Sequence, residues 1–325
     1  MGSAPVTLQI SLAPSDFRHA RVLLPHQVKA WRDQVSEVLL TVDFHRSSGH
    51  FSTAWGEGND KIIPLACSVD GARVLPVDYG PEAMARTGAE FFGGRRTLPA
   101  KDFRGGPYYS YFYALGSAQH DHVLHLDADM FFGGGSQEWL QEAVAYMTSH
   151  PEVVFAAPLP GPPAPDGQLR SQRATAEPDT PYAFRFNSMS TRLFLASRSQ
   201  LRSAFGRLCP RRPQHWRNTI KALLERNPAQ ELPEELLTHA MRTRGLARRE
   251  FLGTGRGMWS LHPPYRCAAF YSKLPDLVRR VEEDDIPPGQ RGDHDINDSM
   301  VDWSEARTAL AYNRWWRRLL GASRR

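Results

Sequence analysis

Cysteine is scarce in this chain. Three residues, Cys67, Cys209 and Cys267, lie far apart, and none is part of a C-x-x-C. That excludes a disulfide framework, a zinc ribbon and a thioredoxin-type redox pair. It fits reduced thiols in a cytoplasmic protein. No run approaches the roughly 18 apolar residues that a membrane-spanning helix needs. The opening residues hold no basic region followed by an apolar stretch, so a secretory leader is not expected. Val6 stands where an N-myristoylation signal needs Ser or Thr. Lysine is rare, with 5 residues in a chain of 325, although the net charge is +5. Arginine therefore carries the positive charge. No zinc finger or RNP motif accompanies it, which argues against nucleic acid as a partner. Acids are thin over residues 185–256, where 15 Lys or Arg face 5 Glu and no Asp. A stripe of that kind suits an anionic small molecule or surface.

What is present is most informative at residues 123–134, which read VLHLDADMFFGG. An apolar run climbs to two carboxylates, Asp127 and Asp129, with one small residue between them. A strand ending this way sets negative charge at the carboxyl edge of a sheet, where ligands bind in open α/β folds. Residues i and i+2 of an extended segment share a face, so the two carboxylates are expected to point the same way. Two like charges that close repel unless a cation lies between them. Mg2+ or Mn2+ suits that place, because a hard ion takes one or two protein carboxylates and leaves room for phosphate oxygens.

Around this stretch, strand and helix patterns alternate. Residues 6–12 read as a strand, 13–16 as a turn, 19–34 as a helix and 35–42 as a strand ending in Asp43. Residues 65–69 and 73–77 read as two further strands, and 107–119 as a helix with a wide tyrosine-rich face. The spacing predicts a helix capped by Ser136, with Trp139, Leu140, Ala143, Val144 and Met147 on one side. A strand follows at 153–156. Residues 158–181 hold seven prolines and read as a long loop or flap. Residues 191–196 return to strand character, and 199–207 and 215–226 read as helices. Pro233 opens a helix at its first turn and Gly245 ends it. Residues 246–252 lead, past Gly253, Gly255 and Gly257, to residues 258–264. This alternation predicts an α/β protein whose mixed, mainly parallel central sheet carries helices on both faces.

The order of these features resembles the metal-dependent nucleotide-sugar glycosyltransferases of GT-A fold, in particular their inverting family 2. The residues that carry the resemblance are Pro14, Ser15 and Asp16 after the first strand, and Asp43 after the second. Leu126, Asp127, Ala128 and Asp129 follow. Then come Glu234 and Glu235 with Leu237, Met241 and Gly245, and finally His262. Two departures stand out. Pro233 occupies the first acidic position of the helix motif, so the acidic pair slides to Glu234 and Glu235. The usual Ser/Thr-Asp continuation after Asp43 is missing.

The resemblance covers roughly residues 5–265. It implies a single Rossmann-like GT-A domain over 1–265, with 1–135 as nucleotide-binding half and 136–265 as acceptor half. Residues 266–325 are left as a C-terminal extension. It further implies that Asp127, Asp129 and His262 hold Mn2+ or Mg2+ on the donor's diphosphate, and that Asp16, Asp43 and Asp127 contact the nucleotide. Glu234 would take the acceptor's proton, with Glu235 as the alternative base, and the sugar would transfer with inversion. The donor would be a nucleoside-diphosphate sugar and the acceptor a hydroxyl or amine, anionic if the basic stretch contacts it.

Two other readings keep the same architecture. A sugar-1-phosphate nucleotidyltransferase needs a Gly-x-Gly-x-Arg loop after the first strand, and residues 13–18 contain no glycine. A non-catalytic relative would bind the nucleotide sugar without turnover. Residues 291–298 begin like a calcium loop, but Asp298 stands where glycine is required and Ser304 where glutamate is, which rules that out. Gly253, Gly255 and Gly257 lack the lysine of a phosphate loop and read as a turn. The tail at 312–320 is basic and aromatic. A helix there can lie on an anionic membrane, although packing of its tryptophans on its own domain is the expectation.

Overall fold

A computed structural model of the chain describes residues 3–46 and 55–312. Its strands are β1 (Val6–Leu12), β2 (Glu37–Val42), β3 (Ala72–Pro76), β4 (His122–Asp127), β5 (Phe131–Gly133), β6 (Val153–Pro160), β7 (Thr175–Ala176), β8 (Ala183–Phe186), β9 (Leu193–Ser197), β10 (Ala247–Phe251) and β11 (Trp259–Leu261). The sheet runs β3-β2-β1-β4-β9-β6-β10-β8-β7, with β11 pairing β5 and β6 at one end. The first four strands are parallel to one another. β9 enters antiparallel between β4 and β6, and β10 runs parallel to β6. The sheet is thus mixed and mainly parallel, as the alternation predicts.

The helices are α1 (Phe17–Trp31), α2 (Trp55–Gly58), α3 (Ile62–Cys67), α4 (Pro81–Phe91), α5 (Tyr109–Gly116), α6 (Trp139–Ser149), α7 (Arg198–Phe205), α8 (Trp216–Leu224), α9 (Pro233–Arg244), α10 (Ala268–Glu282) and α11 (Ser304–Tyr312). β1 alternates: Val6, Leu8, Ile10 and Leu12 are buried among α1, α3 and α6, while Thr7 and Gln9 of its other face are buried with hydrogen bonds to Glu37 and Thr41. The opposite face of the sheet packs Val123, Phe155 and Phe194 against α4, α5, α7 and α9. A third core joins Leu23 of α1, Phe131 and Trp259 to Phe270, Leu274 and Leu277 of α10 and to Trp303. Residues beyond 265 therefore bury their apolar side chains in common with the sheet.

Three local expectations are corrected. Residues 65–69 are not a strand: Ile62 and Ala66, four apart, are buried together on the short helix α3. Ser136 does not cap α6. Glu138 holds the cap position, and Ser136 accepts the Glu138 N–H at 3.2 Å from outside the helix. The loop expected at 158–181 begins later, because β6 runs on through Pro160 with every residue buried. Its alternate residues Leu159 and Gly161 donate to Met258 and Ser260 carbonyls, so Pro158 and Pro160 fall where their missing N–H costs no bond to that neighbour. The turn Pro14–Asp16 after β1 is held from outside by α2. A Cβ on Gly58 would lie 1.9 Å from the Pro14 carbonyl oxygen, so only glycine lets α2 seat there. Among the described residues no helix is long and apolar enough to cross a membrane. The tail from residue 313 lies outside the described residues.

Candidate active site

The chain leaves β1 and returns as β2 on one side of it, while β4 pairs with it on the other. That reversal opens a crevice at the carboxyl ends of β1 and β4, the place where open α/β sheets bind ligands. Asp16 follows β1 into this crevice, and Asp127 and Asp129 follow β4.

Asp127 and Asp129 differ in exposure, although both act on Arg266. The strand ends at Asp127 and residues 128–129 turn, so the i, i+2 rule of extended chain does not govern them. Asp127 stays 40% exposed, with the Nε2 of buried His125 3.7 Å from its Oδ1. Asp129 is wholly buried. Its Oδ2 accepts from Arg266 through Nε at 2.9 Å and also through Nη2. His262 Nε2 lies 3.6 Å from the same oxygen. Burial would raise the Asp129 carboxyl, but Arg266, His262 and His19 hold it well below the usual carboxylate range. The charge on Asp129 in turn raises the Arg266 pKa, against its own burial. The second oxygen of Asp129, Oδ1, is buried without a hydrogen-bond partner.

Asp16 sits beside this pair. Its Oδ2 accepts the Ala13 N–H at 2.8 Å, yet burial pushes its carboxyl up to about 6 despite Arg266. His19, three residues along, places Nε2 3.5 Å from Asp16 Oδ1. Burial, with Arg266 nearby, drives this imidazole down to about 3, so it is neutral. On the far side, His262 is oriented by Asp295, whose Oδ1 lies 3.1 Å from Nδ1. A carboxylate behind an imidazole fixes its tautomer and leaves Nε2 aimed at Asp129.

Glu234 lies in the first turn of α9. Pro233 is the first residue of α9, preceded by an extended Leu232 and ended by left-handed Gly245. Glu234 is half-buried and accepts a backbone bond from Thr191. Burial raises its pKa, against the pull of Arg192 and Arg248. Tyr111 of α5 is near both Asp127 and Glu234. Its buried hydroxyl has no partner, and both Asp127 and Glu234 push its ionisation up, after burial. Glu235, next along α9, is exposed. Asp43 ends β2 one strand away. It is nearly enclosed, accepting from Lys101 Nζ at 2.8 Å, from the Tyr79 hydroxyl at 3.0 Å and from the His45 N–H at 2.8 Å.

The fold thus gathers Asp16, Asp127, Asp129 and His262 in one crevice. Tyr111 links Glu234 to this group through its nearness to Asp127, Asp43 follows β2 one strand aside, and Glu235 is exposed. Arg266, Arg192, Arg248, His19, Tyr111, Lys101 and Asp295 also furnish the site. Of these, Arg192 and Arg248 fall in the basic stretch 185–256, Tyr111 on the tyrosine-rich helix at 107–119 and Asp295 in the calcium-like loop, whereas no motif marks Arg266, His19 or Lys101. Among the described residues no three His, Cys, Asp or Glu side chains converge on one point. Asp129 and His262 nonetheless form a carboxylate–imidazole donor pair with one buried oxygen unspent. That fits a divalent ion whose other ligands come from a diphosphate and water.

No protein-family model matches the sequence, and no curated protein matches it. Similar solved structures include residues 1–349 of TarS from S. aureus in complex with UDP-GlcNAc. That similarity has a TM-score of 0.41 at 13% identity and covers 84% of this chain and 65% of that one. Another is glucosyl-3-phosphoglycerate synthase from Mycobacterium tuberculosis in complex with Mn2+, uridine diphosphate and glucosyl-3-phosphoglycerate. Here the TM-score is 0.37 at 14% identity, over 86% of this chain and 78% of that one. A mycobacterial protein gives a TM-score of 0.36 at 13% identity, over 86% and 73%.

Proposed function

We propose that this chain is a metal-dependent glycosyltransferase that moves a sugar from a nucleoside-diphosphate donor to a hydroxyl or amine acceptor, with inversion. The observation that carries the reading is Asp129: a fully buried, ionised carboxylate at the sheet's switch point, with an unsatisfied oxygen and an oriented imidazole beside it. Arg266 already compensates the charge through Oδ2, so the reading rests on Oδ1, a buried acceptor left without a partner, which is costly unless a metal ion or ligand completes it.

On this reading Asp129 and His262 hold Mn2+ or Mg2+, with Asp127 at the open side of the crevice. The ion, when bound, would supply positive charge against the nucleoside diphosphate that leaves. Asp16 and Asp43 face the nucleotide. Asp43 does so from within its Lys101 and Tyr79 contacts, which fix its orientation. Glu234 takes the proton of the acceptor hydroxyl as that oxygen bonds to the anomeric carbon and the bond to the diphosphate breaks. A carboxyl raised by burial is the better base near neutral pH. Glu235 is the alternative base. Attack from the face opposite the leaving group inverts the anomeric centre.

Thermal unfolding with a panel of UDP-, GDP- and dTDP-sugars, with and without Mn2+, tests the reading. Ligands that bind the folded state raise its Tm with affinity. One nucleotide is expected to raise Tm only when Mn2+ is present, and Asp129→Asn should abolish that rise together with donor hydrolysis. Stabilisation without any hydrolysis or transfer would mark a binding protein rather than an enzyme. No metal-dependent stabilisation by any nucleotide sugar would overturn the proposal, and so would a product with retained configuration by NMR for the inversion.

A further inference from the structure

We infer that helix α8 is a docking element for an anionic lipid bilayer surface. Apolar side chains normally turn a helix toward the core. Here the helix is turned the other way. Six large apolar residues are exposed among the described residues, and four of them, Trp216, Ile220, Leu223 and Leu224, lie on this one helix. At 3.6 residues per turn these four fall within an arc of roughly 100°. Ala222 lies on the opposite side, and it is the buried residue of the helix. Trp216 and Leu223 are 68% and 70% exposed, so their apolar surface stands in water unless something covers it.

The helix ends in a closed turn, with Asn227 N–H on the Ala222 carbonyl at 2.8 Å and Arg226 left-handed at φ 57°, and the Asn227 side-chain amide ties that turn to the Phe103 carbonyl at 3.4 Å. The segment before it is pinned by Glu231 N–H to the Arg211 carbonyl at 2.8 Å. An apolar face held outward on a rigid mount is a surface for a partner.

Charge selects the partner. Residues 180–230 contain ten Lys or Arg and one acid, Glu225, which lies 3.9 Å from Lys221 of the same helix. Arg212, Arg217 and Arg226 are exposed around the helix, and the Arg217 guanidinium lies 5.6 Å from the Trp216 ring centroid. Two copies of this face would bring like charges together. A bilayer with anionic headgroups offers what the face lacks: an apolar layer for tryptophan and leucine, and negative charge at the depth of the arginines. A short helix with an apolar stripe and basic flanks lies in that interface. The inference does not depend on the proposed activity and can fail while that stands.

The test is co-sedimentation of the full chain with vesicles of phosphatidylcholine alone, and of phosphatidylcholine and phosphatidylglycerol in equal parts. Binding is expected only to the anionic vesicles and is expected to fall steeply with salt. The double variant Trp216→Ser/Leu223→Ser should keep the wild-type Tm, since both side chains are exposed, and lose roughly 10-fold or more in binding. Arg212→Glu/Arg217→Glu should do the same. Absence of wild-type binding to the anionic vesicles would overturn the inference. So would undiminished binding by the Trp216→Ser/Leu223→Ser variant, which would assign the membrane contact to another element. A wild-type dimer that the same variant dissociates, without vesicle binding, would overturn it in favour of a second copy.

Discussion

Asp129 and Arg266 form a buried pair in which each group justifies the other. Removing one partner of such a pair leaves an uncompensated charge in a dry site, which typically costs about 3–5 kcal/mol. Asp129 was legible in the sequence because a carboxylate two residues beyond an apolar strand has few structural uses. Arg266 was not, because it follows His262 by four residues in a loop, where no periodicity marks a side chain that turns back on a strand end. Glu234 was legible through the acidic start of α9, but a helix N-terminus favours acids whatever their task. What separates Glu234 from Glu235 is burial, which only the fold reveals: the first is half-enclosed beside Arg192 and Arg248, the second exposed. Glu234→Gln is accordingly expected to lower kcat by about 10²–10⁴ with the donor's KM nearly unchanged. Steady-state kinetics would check it. Unchanged turnover would shift the base to Glu235, and a rise in KM alone would make Glu234 a binding residue.

At the scale of elements, hydrophobic pattern gave existence and order but neither direction nor fine boundaries. Leu193, Leu195 and their neighbours read as a strand in either direction; pairing with β4 and β6 makes β9 antiparallel. The misread segment at 65–69 shows the same limit, since a short apolar run suits a strand or a helix until its neighbours decide. His26 is an element-level joint that no motif announces. Its Nε2 accepts the Phe132 N–H at 2.9 Å and its Nδ1 lies 2.8 Å from Glu282, so one ring ties α1 to β5 and to α10. Accepting at Nε2 requires the neutral ring. Burial lowers its pKa despite the Glu282 carboxylate. The unfolded ring titrates near 6.5 and the folded ring lower, so stability from this joint is complete above about 6.5 and is lost as pH falls below it. Wild type is expected to lose Tm between pH 7 and pH 5, and His26→Gln to lose less over the same interval, starting from a lower Tm. Equal slopes in differential scanning calorimetry would remove this assignment.

For the whole molecule, the α/β class and the mixed sheet followed from alternation of patterns over the first 265 residues. The contribution of later residues did not, because their apolar positions reveal burial but not the element they cover. In the structure Phe270, Leu274, Leu277 and Trp303 share a core with Leu23, Phe131 and Trp259, and Arg266 enters the crevice. A chain ended after residue 265 would uncover that core and strand the Asp129 carboxylate. It is expected to show no cooperative unfolding transition and little near-ultraviolet circular dichroism. A truncated protein that melts cooperatively near the wild-type Tm would show that 1–265 is self-sufficient.

The hydrogen at position 58 has a reach of its own. Because α2 bears on the Pro14 carbonyl, even one methyl group there would act as a wedge, and the end that gives way carries Asp16. A saturation screen for lost donor affinity would then score residue 58 beside acids it never touches. Crevice width would be set by a contact outside the crevice.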